Sequence, residues 1–229
     1  MSGAQQLAFD LGHRKAFGRG DFLVSSANAE AVAWIDRWPE WPGQALAIYG
    51  PAGCGKTHLA HVFQESAGAR FAAADDIKRL EELAGERVLV LDDAAGLAEE
   101  PLLHLVNLHR ARGGTMLLTA AQAPARWGVG LADLASRLAA LPTAEIAPPD
   151  DALLAAVLVK QFADRQVAVA PEVIVYLMAR LDRSFAAVAA AARALDDAAL
   201  AAGRALSIPL AREVLGLGQE QAMDQEVNS

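Results

Sequence analysis

The sequence predicts an α/β domain with a parallel sheet covered on both faces, followed by an all-helical domain. Three features carry that prediction. Short apolar runs alternate with helical stretches over the first two thirds of the chain. The runs are continuous rather than alternating, as strands buried on both faces require. At Glu145–Asp151, EIAPPDD, the pattern breaks, and the remainder of the chain is alanine-rich and reads as helices alone. With 229 residues, 54% of them apolar, the chain can bury a core of that size.

In order, residues 1–20 read as a tail and 28–38 as a helix ended by Pro39 and Pro42. Ala45–Tyr49 is the first strand, and a glycine-rich turn leads into a helix from about Lys56. Arg70–Ala73, Val88–Leu91 and Thr115–Leu118 are further strands, with a helix over 99–112 between the last two. The paired prolines of EIAPPDD cannot continue a strand, and Asp150 or Asp151 caps the next helix. Helices then occupy 151–164, 171–180, 183–202 and 209–216, with Pro171 and Pro209 at first-turn positions. These limits predict an α/β domain over 21–147, a helical domain over 148–217 and a polar, disordered tail over 218–229.

Composition excludes several classes. The net charge of −8 argues against sequence-specific DNA binding, which uses a basic face. Cys54 is the sole cysteine, so neither an intrachain disulfide nor a cysteine-rich metal site forms. No apolar run reaches the roughly 18–20 residues of a membrane span, and no signal-peptide core is present. A soluble, cytoplasmic protein is expected. His58 and His61 lie three apart on one helix, a spacing more common on surfaces than in metal sites, and Trp34, Trp38 and Trp41 read as anchors of the first helix.

GPAGCGKT, residues 50–57, fits G-x-x-x-x-G-K-T. Glycines let backbone N–H groups curl round phosphates with no Cβ in the way. The helix that starts at the loop's end turns its positive pole to the anion. Lys56 meets the outer phosphates, and the Thr57 hydroxyl is a ligand for Mg²⁺. The nucleotide set is Gly50, Pro51, Ala52, Gly53, Cys54, Gly55, Lys56, Thr57 and His58. In RVLVLDDA, Asp92 and Asp93 close an apolar strand. Beside a phosphate loop, Asp92 is the second Mg²⁺ ligand and Asp93 orients the attacking water. Taken alone, one such aspartate is also reasonable as a helix cap.

With these residues the chain resembles AAA+ ATPases, and within them the DnaA initiator family, most closely its short Hda-type members. The resemblance spans residues 5–217 and implies a five-stranded parallel sheet with a helical lid. Asp92–Asp93 matches that family's Walker-B pair. MLLTAAQAPARW resembles its sensor 1 strand and places Thr119 against the γ-phosphate or the water. LADLASRLAA resembles its arginine-finger segment, which makes Arg137 a finger acting in trans on a neighbour's nucleotide. ARLDRSFAAV places the lid's sensor 2 arginine at Arg183, opening a long helix, with Arg180 as a near neighbour. RGDFLVSSANAEA resembles the adenine-side segment, so Phe22, Leu23 and Val24 line the base.

The resemblance implies ADP or ATP with Mg²⁺ as ligands. It also gives the first residues a role. Gln6, Leu7, Phe9 and Leu11 in QLAFDL resemble the peptide by which bacterial replication proteins bind the DNA sliding clamp, the β subunit of DNA polymerase III. The expected function is negative regulation of chromosomal replication initiation. The chain would bind the clamp and stimulate ATP hydrolysis by the DnaA initiator through Arg137. Its hydrolysis motifs are intact, and the resemblance implies that its main role is activation of a partner's ATPase. An arginine finger implies a head-to-tail contact, with the initiator or in a homodimer. The short stretch Ala74–Arg87 before Walker B and the absence of a DNA-binding domain after the lid favour this reading over an initiator. A helicase loader, or another AAA+ remodelling ATPase acting on a replication protein, is the alternative. A nucleotide-gated adaptor without catalysis is a third reading.

Overall fold

The structure, a computed structural model, describes residues 22–73, 76 and 80–216. Gln6, Leu7, Phe9 and Leu11, expected to form a clamp-binding peptide, and the tail at 218–229 lie outside the described residues.

The first unit carries α1 (Ala29–Asp36), β1 (Ala45–Tyr49), α2 (Lys56–Ala67), β2 (Arg70–Ala72), α3 (Leu80–Gly85), β3 (Val88–Leu91), α4 (Glu99–Ala111), β4 (Thr115–Ala120), α5 (Ala132–Ala139) and β5 (Thr143–Glu145). The strands form one sheet in the order β2-β3-β4-β1-β5. Every pairing is parallel. β4 lies between β1 and β3, so the strands that end in the phosphate loop and in the paired aspartates flank it on either side.

Strand period divides the core in two. Leu46 and Ile48 of β1, Val88 and Val90 of β3 and Leu117 of β4 face α1 and α2, where Val32, Ile35, Leu59 and Phe63 cover them. Ala47, Leu89, Leu91, Met116 and Leu118 face the other way, against Leu102 and Leu105 of α4 and Leu134 and Leu138 of α5. A buried side chain of this size contributes about 1.5–3 kcal/mol, so continuous apolar strands are stable only with helices on both faces.

Residues after 150 form α6 (Asp151–Asp164), α7 (Pro171–Met178), α8 (Phe185–Ala202) and α9 (Ile208–Val214) around Leu158, Phe162, Leu177, Val188 and Leu195. Asp150 caps α6 by accepting from the Leu153 N–H at 2.7 Å. Among the described residues no helix is long and apolar enough to cross a membrane.

Beyond shifts of one or two residues at several helix and strand ends, three differences from the sequence expectation bear on the site. β4 extends to Ala120, because Thr119 is buried despite its hydroxyl. β5 has three residues with only Ala144 buried, too short and too polar to read as an apolar run. α8 begins at Phe185 rather than at 183, because the Ser184 hydroxyl accepts from the Ala187 N–H at 3.1 Å and caps the helix. Arg183 therefore stands just outside the helix instead of opening it.

Candidate functional site

β1, β3 and β4 present their C-terminal ends to one edge of the sheet, where parallel α/β sheets bind ligands. The phosphate loop leaves β1 at Tyr49 and enters α2 at Lys56. Its first residue donates from the Gly50 N–H to the Ala120 carbonyl at 3.2 Å, tying the loop to the end of β4. A Cβ at Gly50 would run into the Ile146 carbonyl, so only glycine lets the loop start this close to β5. Gly55 caps α2 at φ 103°, backbone that side-chain-bearing residues rarely adopt. The Lys56 ammonium donates to the Gly50 and Pro51 carbonyls, both at 2.9 Å. Cys54 is buried beneath the loop. Burial pushes its thiol up and outweighs the nearby Lys56 ammonium, which leaves it protonated.

Thr57 and Asp92 meet. The Thr57 hydroxyl lies 3.2 and 3.1 Å from the two Asp92 carboxylate oxygens. A hydroxyl and a carboxylate side by side at the end of a phosphate loop are hard oxygen donors that fit Mg²⁺, which takes one or two protein ligands and the rest from phosphate and water. Among the described residues no cluster of three or more His, Cys, Asp or Glu forms a separate metal site.

Thr119, 1% exposed, sits between the two aspartates. Its hydroxyl donates to Asp92 Oδ1 at 2.5 Å and accepts from the Asp93 N–H at 3.0 Å. Its one proton is thus committed to Asp92. Asp93 adopts left-handed backbone, φ 54° and ψ 48°, which turns the chain from β3 into the turn Ala94–Gly96. Left-handed backbone costs a side-chain-bearing residue of order 1–3 kcal/mol and clusters at functional sites.

The lid reaches the same edge. The Phe185 ring lies 3.5 Å from where a Gly55 Cβ would stand, and Ser184 comes close to Gly53. Arg183 next door pairs with Asp151 at 3.1 Å, with 75% of its side chain exposed. Arg180 instead lies over the Tyr176 ring at 3.9 Å and donates to the Tyr176 carbonyl, engaged within the lid. Of the three residues expected beside the base, Phe22 is buried and meets His58 edge-on at 5.3 Å. Leu23 is half-buried and Val24 is 51% exposed.

Arg137 stands elsewhere. It lines a cavity of about 230 Å³ together with Pro42, Ala45, Gly114 and Met116. Those residues mark the N-terminal ends of β1 and β4, the edge of the sheet opposite the phosphate loop. Asp133 holds its guanidinium through bonds of 3.0 and 3.2 Å. At that edge Arg137 has no access to its own chain's nucleotide.

Comparison with known proteins agrees with this fold. A family model described as "Hda, lid domain" matches residues 150–215. An uncharacterised protein of Haemophilus influenzae is 30% identical over 186 residues, covering 74% of this chain and 80% of that protein. The chain belongs to the Hda family of DnaA-homologous AAA+ proteins. Its fold is similar to that of domain III of the Thermotoga maritima replication initiation protein DnaA, with a TM-score of 0.77 at 17% identity, covering 89% of this chain and 97% of that one. The AMPPCP-bound DnaA of Aquifex aeolicus gives a TM-score of 0.66 at 18% identity over 76% of this chain and 62% of that chain. In this Hda-family chain the five-stranded sheet and C-terminal helical lid are those of an AAA+ protein.

Sequence reasoning missed three residues. Ser184 and Phe185 bring the lid to the loop; a serine just before an apolar helical run was the signal for the cap. Glu99 accepts from the Gly130 and Leu131 N–H groups at 2.9 and 2.8 Å. No local pattern marks a contact that spans 31 residues.

Proposed function

We propose that this chain regulates replication initiation by binding adenine nucleotide at the phosphate loop, docking on the sliding clamp and presenting Arg137 to the nucleotide of the DnaA initiator. Residues 21–147 form the nucleotide-binding domain and 148–217 the lid. Lys56 and the loop N–H groups hold ADP or ATP, Thr57 and Asp92 hold Mg²⁺, and Phe22, Leu23 and Val24 flank the base. Bound Mg²⁺ neutralises phosphate charge. Asp93 orients water, Thr119 supports both aspartates, and Arg183 reports the nucleotide to the lid. Gln6, Leu7, Phe9 and Leu11 enter the clamp, and the protein works in the cytoplasm as a monomer or homodimer.

The observation that carries the reading is the Hda lid match over 150–215 on a chain whose Thr57 and Asp92 oxygens stand 3.1 Å apart beside the phosphate loop. The position of Arg137 on the opposite edge supports action on a second molecule rather than on its own nucleotide. The test is ATP turnover by purified DnaA with clamp loaded on DNA. Adding this chain accelerates turnover. Arg137→Ala abolishes the acceleration, and removal of residues 1–12 abolishes the part of it that requires clamp. Full acceleration by Arg137→Ala refutes the trans role.

A further inference from the structure

The helix that carries Arg137 lacks a cap of its own. α5 has eight residues, and its N-cap Leu131 offers no side-chain hydrogen bond. The N–H groups of Gly130 and Leu131 at its entry instead converge on one carboxylate from another helix. Glu99 Oε1 accepts from Gly130 and Oε2 from Leu131. These two bonds, opposed by a smaller desolvation effect, hold the carboxyl below the usual range, so it stays ionised and accepts through both oxygens.

Glu99 is also the first residue of α4, and a single turn, Ala94–Gly96, separates it from Asp93. The Ala94 in that turn is completely buried. One side chain therefore ties the start of α4, a few residues beyond the paired aspartates, to the start of the Arg137 helix. Packing of Leu134 and Leu138 fixes which face of α5 meets the sheet, and directional hydrogen bonds at the entry add a specific constraint on sliding along the helix axis. The fork from Glu99 resists that sliding.

We propose that Glu99 is the positioning residue for Arg137: it fixes the entry of α5 and thereby the place at which the guanidinium meets a partner's nucleotide. This rests on Arg137 acting in trans. Arg137 lies six residues from Leu131, about 9 Å along one short rigid helix, so a shift at the entry carries through to the guanidinium. Misplacement by about 1 Å at a reacting centre costs up to about 10²-fold in rate.

Glu99→Gln tests the claim at nearly constant size. Its amide keeps one acceptor oxygen and turns an NH₂ donor toward a backbone N–H. The full-length chain is titrated into DnaA with clamp loaded on DNA, and amide exchange is read on the chain alone. The expected result is a fall in maximal partner turnover of about tenfold or more. The half-saturating concentration and the chain's own nucleotide affinity stay unchanged, and exchange at residues 130–135 accelerates. Glu99→Asp, one methylene short of the two N–H groups, behaves the same way. A loss of fold alone would lower nucleotide affinity as well. Wild-type maximal turnover in Glu99→Gln, with Arg137→Ala inactive, overturns the positioning role alone. Wild-type turnover in Arg137→Ala overturns the trans reading and the positioning role with it.

Discussion

Replacing Thr119 with valine keeps the shape of a buried side chain and removes one hydroxyl, so its cost can be worked from the two bonds that hydroxyl makes. The bond to Asp92 has an ionised partner, and such bonds contribute about 1.5–3 kcal/mol. Asp92 keeps the Thr57 hydroxyl and partial access to water, which puts this loss near the lower end, about 1.5 kcal/mol. The Asp93 N–H loses its acceptor, at about 1 kcal/mol for a partly buried donor. The sum is about 2.5 kcal/mol, a factor of roughly 60 in the folded-to-unfolded ratio. Urea unfolding followed by tryptophan fluorescence measures it on the right domain, because Trp34, Trp38, Trp41 and Trp127 all precede the lid. Thr119→Ser restores the hydroxyl and loses about 0.8 kcal/mol for the missing methyl alone. Thr119→Val unfolding within about 0.5 kcal/mol of the wild type refutes the argument, since a surface change reaches that figure without losing any bond.

Gly50→Ala drives its methyl into the Ile146 carbonyl, a backbone atom that cannot swing aside; nucleotide affinity falls by at least about tenfold in an equilibrium titration, and stability drops by about 1–3 kcal/mol. Arg183→Ala changes urea stability by less than about 0.5 kcal/mol, because its pair with Asp151 is exposed. Nucleotide affinity falls in the same variant if Arg183 reads the ligand, and unchanged affinity removes that role. Burial, more than the nearby Arg112, holds the His109 imidazole below its ordinary value of 6.5 and keeps it neutral while it bonds to the Thr115 carbonyl at 2.9 Å. Its folded value lies below its unfolded one, so its contribution is complete above pH 6.5 and is lost as pH falls through the depressed folded value. The decline in urea stability with acidification is therefore shallower in His109→Gln than in the wild type.

Legibility in the sequence tracks how local the chemistry is. The phosphate loop and the paired aspartates can be read because consecutive residues create the turn, the anion cradle and the strand end. The apolar runs can be read because burial on both faces removes every polar residue from β3. β5 is not legible as an apolar run because this edge strand buries only Ala144, while Thr143 and Glu145 are polar. The left-handed backbone of Asp93 is invisible in a residue type that tolerates many conformations. Glu99 reads as an acid favouring a helix N-terminus, which it also is. Its bonds to Gly130 and Leu131 exist only once α4 and α5 lie side by side.

The contact between the lid and the phosphate loop makes α8 a lever. Its N-terminal end, at Ser184 and Phe185, rests on the glycines of the loop, and its 18 residues run to Ala202. That length is ~27 Å, so a tilt of ~10° about the loop end sweeps the far end through ~5 Å. α9 packs on that arm. A small adjustment where phosphate would sit, if it tilted α8 by that much, would be felt most strongly at the distal surface of the lid.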